Sequence, residues 1–216
     1  MKEEAKHEEE EAKQVDVVVY TSGWRNFAFT AAAAVGDNVA ARVISFARQR
    51  PTEIAYVDAV QQAGFPLDTA YARSVHLCTL SLHDPDGATS HLGLSDENIS
   101  LIWNKKPQWF LDTTRALACE LSSARKKGSK VNLRFWCKSG RHRSVSAAVI
   151  FGQAIAKLPG FNVVFEHLSQ WWWRLVPCQK EARRAGRACP ECTSEGGQAR
   201  AAIVQRVVDN LQSFMT

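Results

Sequence analysis

Val131-Asn132-Leu133-Arg134-Phe135-Trp136 runs through Cys137-Lys138-Ser139-Gly140-Arg141-His142-Arg143-Ser144 into Val145-Ser146-Ala147-Ala148-Val149-Ile150. The first six residues are mostly apolar and of strand length. Val145 to Ala156 is apolar and long enough for a helix. The segment between them packs Lys138, Arg141, Arg143, His142 and Gly140 into seven positions. A buried strand that enters a helix through such a loop is the building unit of an α/β sheet.

The pattern repeats outward from this unit. Val15 to Tyr20 is continuous and β-branched, as a buried strand would be, and Ser22-Gly23 is expected to end it. Ser74 to Leu82 predicts a second strand and Phe161 to Phe165 a fourth. Helices are predicted from Phe27 to Arg50, from Thr52 to about Ala63, from Ser95, and from Pro107 to Lys127, where Gly128 closes the last. Gln198 to Phe214 carries Ile203, Val207 and Leu211 four apart, the spacing of an amphipathic helix. The expected fold class is α/β, with a mostly parallel central sheet flanked by helices. A loop-rich, zinc-stabilised hook and a final helix follow it. The chain divides into an acidic disordered tail (1–14), an α/β domain (15–170), and a Cys-rich hook with the C-terminal helix (171–216).

Composition narrows the function classes. The 216 residues are 45% hydrophobic and 23% charged, with a net charge of +5. The first 14 hold six Glu and three Lys, a local charge of −3, which leaves +8 on the remainder. That surplus suits an anionic ligand. No run of 18 apolar residues occurs, so no membrane span is expected. The acidic N-terminus does not resemble a secretory signal, so the expected location is intracellular, cytoplasmic rather than nuclear, and not secreted.

The loop itself carries the chemistry. Ligands of parallel α/β sheets gather beyond the carboxyl ends of the strands. Backbone N–H groups and a helix N-terminus there suit a phosphate. Gly140 permits the tight turn. Lys138, Arg141 and Arg143 supply charge, Arg143 with a two-pronged grip. Ser139 and His142 line the cradle, and Ser144 caps the helix or donates into the loop. His76 and His83, on or just after the second strand, are further candidates for ligand contact.

Cys137, Arg143 and Ser144 also resemble the signature of cysteine-dependent phosphatases: Cys, five residues, Arg, then Ser or Thr. That resemblance implies Cys137 as nucleophile and Arg143 as phosphate clamp. Two positions depart from it, since Trp136 stands where His is usual and His142 where Gly is usual. No Asp lies in a recognisable acid loop; Asp84, Asp86, Asp96 and Asp112 are the candidates.

The loop resembles more closely the Cys-x-Gly-Gly-Lys-His-Arg-Ser stretch in the C-terminal domain of the RapZ family of RNase adapter proteins. Gly64-Phe65-Pro66-Leu67-Asp68-Thr69-Ala70-Tyr71, His83-Asp84-Pro85, Gly93-Leu94, Phe110-Leu111 through Thr114-Arg115, and His167 are similar to other elements of that family, in the same order. The likeness spans Val15 to Ser169, with extra sequence from Phe27 to Gln62. It implies binding of a phosphorylated amino sugar and of small regulatory RNA, without catalysis by this domain. The family's P-loop is absent from this sequence, and its Asp-x-Arg on the second strand is Ser74-Val75-His76 here. Phosphate binding carries over better than amino-sugar specificity. The expected function is binding of a sugar phosphate or nucleotide, with an RNA-binding or regulatory adapter role. The alternative is a phosphatase.

The second constellation is Cys189-Pro190-Glu191-Cys192, a two-residue knuckle that lets both thiolates meet one tetrahedral zinc. Cys178 lies eleven residues earlier and His167 eleven before that, which makes His167, Cys178, Cys189 and Cys192 the expected ligand set. Few apolar residues order this stretch, and a metal would supply the ordering. Free thiols or a redox pair are the other readings. Trp171-Trp172-Trp173 suits packing better than base stacking. Arg183, Arg184 and Arg187 form the best candidate RNA patch.

Overall fold

Four parallel strands form one sheet in the order β2-β3-β1-β4, where β1 is Val15–Gly23, β2 Val75–Cys78, β3 Val131–Cys137 and β4 Phe161–His167. The computed structural model describes residues 14–23, 74–83, 91–137, 140–167, 178, 189–192 and 196–216. The predicted tail and the helices between residues 27 and 63 lie outside the described residues. So do Lys138, Ser139, the Trp171–Trp173 run and the Arg183–Arg187 cluster.

The valines of β1 are buried on both faces of the strand, and β3 and β4 pair with its two edges. Ser22-Gly23 does not end this strand. Both residues still pair, with Trp136 and Cys137, so the ladder reaches the rim of the loop. The second strand is shorter than expected. It stops at Cys78, and Leu80 and Leu82 lie buried in a turn in which Leu82 N–H donates to Thr79 C=O. Thr79 fixes that departure by giving both its N–H and its hydroxyl to Trp136 C=O, at 2.9 and 2.8 Å.

Helices α1 (Asp96–Lys105), α2 (Pro107–Lys127) and α3 (Arg143–Ala156) cover one side, and α4 (Gln198–Met215) packs across all three. Each begins or ends for a local reason. Ser95 Oγ accepts from Asn98 N–H at the start of α1. Pro107 opens α2, and Gly128 closes it at φ 63°. Phe151 of α3 stacks between Phe110 of α2 and Phe135 of β3, with centroids 5.9 and 5.7 Å away. Gly152 has no side chain because Phe165 of β4 occupies that space; a Cβ there would lie 2.2 Å from the ring.

The C-terminal helix belongs to the same core. Ile203, Val204, Val207, Val208 and Leu211 are buried with the sheet-facing residues of α2 and α3. Its first turn is pinned by Asp96, which accepts from Gly197 N–H at 2.7 Å and pairs with buried Arg200 at 2.9 Å. Arg200 also donates to Leu94 C=O. No helix of the described residues is long and apolar enough to cross a membrane.

The topology positions the loop. The chain leaving β3 passes through α3 to β4 on the far side of β1. The loop between β3 and α3 therefore lies at the carboxyl end of the sheet, where parallel α/β sheets hold ligands. Gly23 and Cys137 form the last pair of the ladder beneath it.

Candidate functional site

Cys137 ends β3, and its sulfur organises the described part of the loop. Gly140 N–H donates to Cys137 Sγ at 3.2 Å, and Ser144 Oγ lies 3.2 Å from the same sulfur. Gly140 reaches this position at φ 64°, in the left-handed region that favours glycine. Cys137 is only 2% exposed, and Ser144 is fully buried.

The loop then enters α3. Ser146 N–H is bonded to His142 C=O at 2.8 Å, so the N–H groups of the preceding first-turn residues point out of the helix end, where the dipole is positive. Arg143 is buried, and its Nη1 donates to Leu80 C=O at 2.9 Å. The turn after β2 therefore fixes the guanidinium beside the loop. His142 is buried at the N-cap of α3, and Arg141 is half-buried. The structure thus places Cys137, Gly140, Arg141, His142, Arg143 and Ser144 at the junction of β3 and α3.

The candidate histidines fare differently. His83 is half-buried and lies three residues beyond Leu80, at the end of the turn that holds Arg143. His76 pairs in register with Arg134. Strand alternation puts it on the face opposite Phe135 and Cys137, so His76 does not share the side of the sheet on which the loop closes. Buried Arg134 covers Tyr20 on that other face, 4.4 Å from the ring centroid.

The thiols of the hook do converge, but on a different histidine. His91, Cys178, Cys189 and Cys192 each offer one ligand atom, and all four atoms lie within 4.8 Å of one another. His167 is not among them. Its Nδ1 is 2.8 Å from Thr21 Oγ1, across β1 and β4, and burial lowers its pKa from the ordinary 6.5. The physical reason is geometric. His167 is held in the parallel ladder with Thr21, whereas His91 lies in the short segment that leads into α1, against which the knuckle packs.

The residues fit a tetrahedral ion. His91 Nδ1 is 3.5 Å from both Cys189 Sγ and Cys192 Sγ. With metal–sulfur and metal–nitrogen bonds of about 2.3 and 2.0 Å, the nitrogen–sulfur edge of a tetrahedron is about 3.5 Å. The other ring nitrogen faces carboxylates: Glu191 Oε2 at 2.9 Å and Glu97 Oε2 at 3.9 Å from His91 Nε2. A carboxylate behind a metal-ligating imidazole fixes its tautomer and raises its basicity. Burial pushes the Cys192 thiol well up; Leu92 N–H, which donates to its sulfur at 3.3 Å, opposes this, and the neighbouring Cys178 and Cys189 add to it. Three thiols and an imidazole that converge in this way offer a cation a tetrahedral ligand set. All six cysteines are free of disulfides.

Among the described residues, the segment after His91 connects this cluster to the loop. Leu92, next to His91, gives its N–H to Cys192. Gly93 follows, donating its N–H to Arg141 C=O at 2.9 Å and accepting from Ser146 Oγ at 2.9 Å.

Sequence reasoning missed His91, Glu97 and Glu191 as site residues. The only signal for His91 was its position just before Gly93-Leu94 and Ser95, at the start of a helix. No protein-family model, no curated protein and no solved structure matches this chain.

Proposed function

We propose that this protein binds a phosphorylated small ligand, a sugar phosphate or a nucleotide, over the Cys137–Ser144 loop. The observation that carries this reading is the position of the loop. It lies at the carboxyl ends of β1 and β3 and at the N-terminal end of α3, with Arg143 fixed by Leu80 C=O. Lys138, Arg141 and Arg143 are the neutralising charges, the N–H groups of Ser139, Arg141 and His142 the cradle, and His142 and His83 contacts for the ligand's other oxygens.

The buried sulfur favours binding over turnover. Cys137 accepts from the loop's own backbone and adjoins Ser144, and reactive thiols are usually partly exposed. In this reading Cys137 shapes the loop and does not attack phosphorus. A cysteine phosphatase remains the competing reading, because Cys137, Arg143 and Ser144 keep its spacing. Thermal melts with a panel of sugar phosphates and nucleotides test the assignment. Arg143→Ala should abolish the stabilisation that Cys137→Ser largely keeps. Equal stabilisation of Arg143→Ala and wild type would refute it. Hydrolysis of an aryl phosphate by wild type but not by Cys137→Ser would establish the phosphatase instead.

The metal of the second cluster is zinc in this reading. Three thiols and one imidazole are a structural zinc set, and the 3.5 Å nitrogen–sulfur edges match its bond lengths. Elemental analysis of protein purified without chelator should find one zinc per chain. The resemblance to the RapZ adapter family supports an RNA-binding output as well. Filter binding that matches an unrelated basic protein across salt concentrations would remove that extension.

A further inference from the structure

We infer that the His91–Cys178–Cys189–Cys192 metal centre positions the phosphate loop, with Gly93 as the relay between them. The inference rests on the phosphate-binding reading and adds what controls that site.

The connection is short and made of backbone. The cluster fixes His91 through its ring and Leu92 through the N–H that Cys192 accepts. Gly93 comes next, and its two polar groups hold both strands of the junction: Arg141 C=O in the loop and Ser146 Oγ in the first turn of α3. Contact here is so close that a Cβ on Gly93 would lie 2.3 Å from His142 O, 2.8 Å from Val145 Cβ and 2.9 Å from Ser146 N. The far side of the same segment is tied to the body of the domain. Asn98 Nδ2 donates to His91 C=O and Leu92 C=O, both at 2.8 Å. The segment from His91 to Gly93 is therefore gripped by α1 on one side and by the metal ligands on the other, with the loop resting on its end.

Two of the three thiols arrive from residues 189–192 and one from residue 178, about one hundred residues along the chain from the segment they hold. Without an ion, the three sulfurs and the His91 ring lose the shared bonds that would make them one rigid node. β1, β3 and α3 pack on one another through Val17, Val19, Leu133, Phe135 and Phe151, none of them a ligand, while Cys178 and Cys189 join the same buried core. Metal loss should therefore loosen the loop before it loosens the fold. The loop N–H groups would then have to be ordered by the phosphate itself, and affinity falls by that ordering cost.

The experiment uses the full chain loaded with one equivalent of zinc, the same chain stripped with a chelator, and the stripped chain reloaded. Inorganic phosphate is titrated into each, and backbone amide exchange is followed in parallel. The expected result is a phosphate dissociation constant at least tenfold higher after stripping, restored by zinc. Exchange should be faster at Gly93 and from Gly140 to Ser146, and unchanged in β1 and β3. Gly93→Ala should retain one zinc per chain yet bind phosphate at least tenfold more weakly. Equal phosphate affinity with and without metal would overturn the inference, as would wild-type affinity in zinc-loaded Gly93→Ala. So would exchange that rises equally in β1 and β3, because the metal would then hold the whole fold and not the loop. If the zinc-loaded chain binds no phosphate while zinc still protects the loop amides, the phosphate reading falls and the mechanical coupling stands.

Discussion

The loop after β3 and the Cys/His cluster beside it are one glycine apart in space, yet they are assembled in opposite ways. The loop is contiguous: from Cys137 to Ser144 the chain supplies its own acceptor, turn, charges and helix end, and the sulfur gathers Gly140 and Ser144 at 3.2 Å. The cluster comes from three separate places, His91, Cys178 and the Cys189–Cys192 knuckle, which meet around one common centre. A contiguous site is stabilised by the backbone geometry that creates it. A discontinuous one needs a ligand energy large enough to offset the entropy of ordering the segments that meet there. The two regions should therefore respond very differently to substitution.

The largest effect is expected in the cluster. Cys189→Ser removes one thiolate ligand; bound zinc should fall to near zero. The unfolding free energy should fall by much less than the several kcal/mol that loss of a fold-bearing metal costs, because β1 and β3 pack through residues that are not ligands. Chemical denaturation with metal analysis checks both. Full zinc content in this variant would break the contrast, since the cluster would then not depend on all its ligands.

A smaller effect sharpens it. Glu191 backs His91 from the far side of the ring, at 2.9 Å. Glu191→Gln should leave the fold intact and weaken zinc by about 10- to 100-fold in a competition titration, the usual cost of losing such a partner. Unchanged zinc affinity would show that the carboxylate is a surface pair with no hold on the ligand.

The smallest effect belongs to His167, the histidine that sequence spacing favoured as a ligand. Burial depresses its pKa, so the native state keeps it neutral while the unfolded chain takes up a proton below about 6.5. Its contribution is full above pH 6.5 and is lost as the pH falls below that value. One proton limits the slope to about 1.4 kcal/mol per pH unit. Wild type minus His167→Gln, measured from pH 7.5 to 5, should show this decline, and zinc content should not change. Loss of zinc in His167→Gln would return this residue to the ligand set.

The difference also explains what was legible in the sequence. The strand–loop–helix unit was readable because its signals are local: β-branched and aromatic residues, a glycine, a basic run and an apolar helix follow one another. The sheet was readable for the same reason, and its strands are indeed all parallel. Strand ends were less so, because tertiary pairing extends β1 through Ser22-Gly23 and the Thr79 bonds to Trp136 turn β2 aside at Cys78. Three of the four cluster residues were readable from cysteine spacing. The fourth was not, because His91 owes its place to the packing of the knuckle against the start of α1. Linear spacing carries no information about that contact. Nor could it show that His76 lies on the opposite face from Cys137, since that follows from the register with Arg134.

The most direct test of the central claim is a calorimetric titration of inorganic phosphate into the zinc-loaded wild type, Arg143→Ala and Cys137→Ser. The account predicts one saturable site in wild type, retained in Cys137→Ser. It predicts binding at least tenfold weaker in Arg143→Ala, consistent with about 1.5–3 kcal/mol for hydrogen bonds to a charged group. Binding that is equal in wild type and Arg143→Ala, or no saturable binding in wild type, would contradict it.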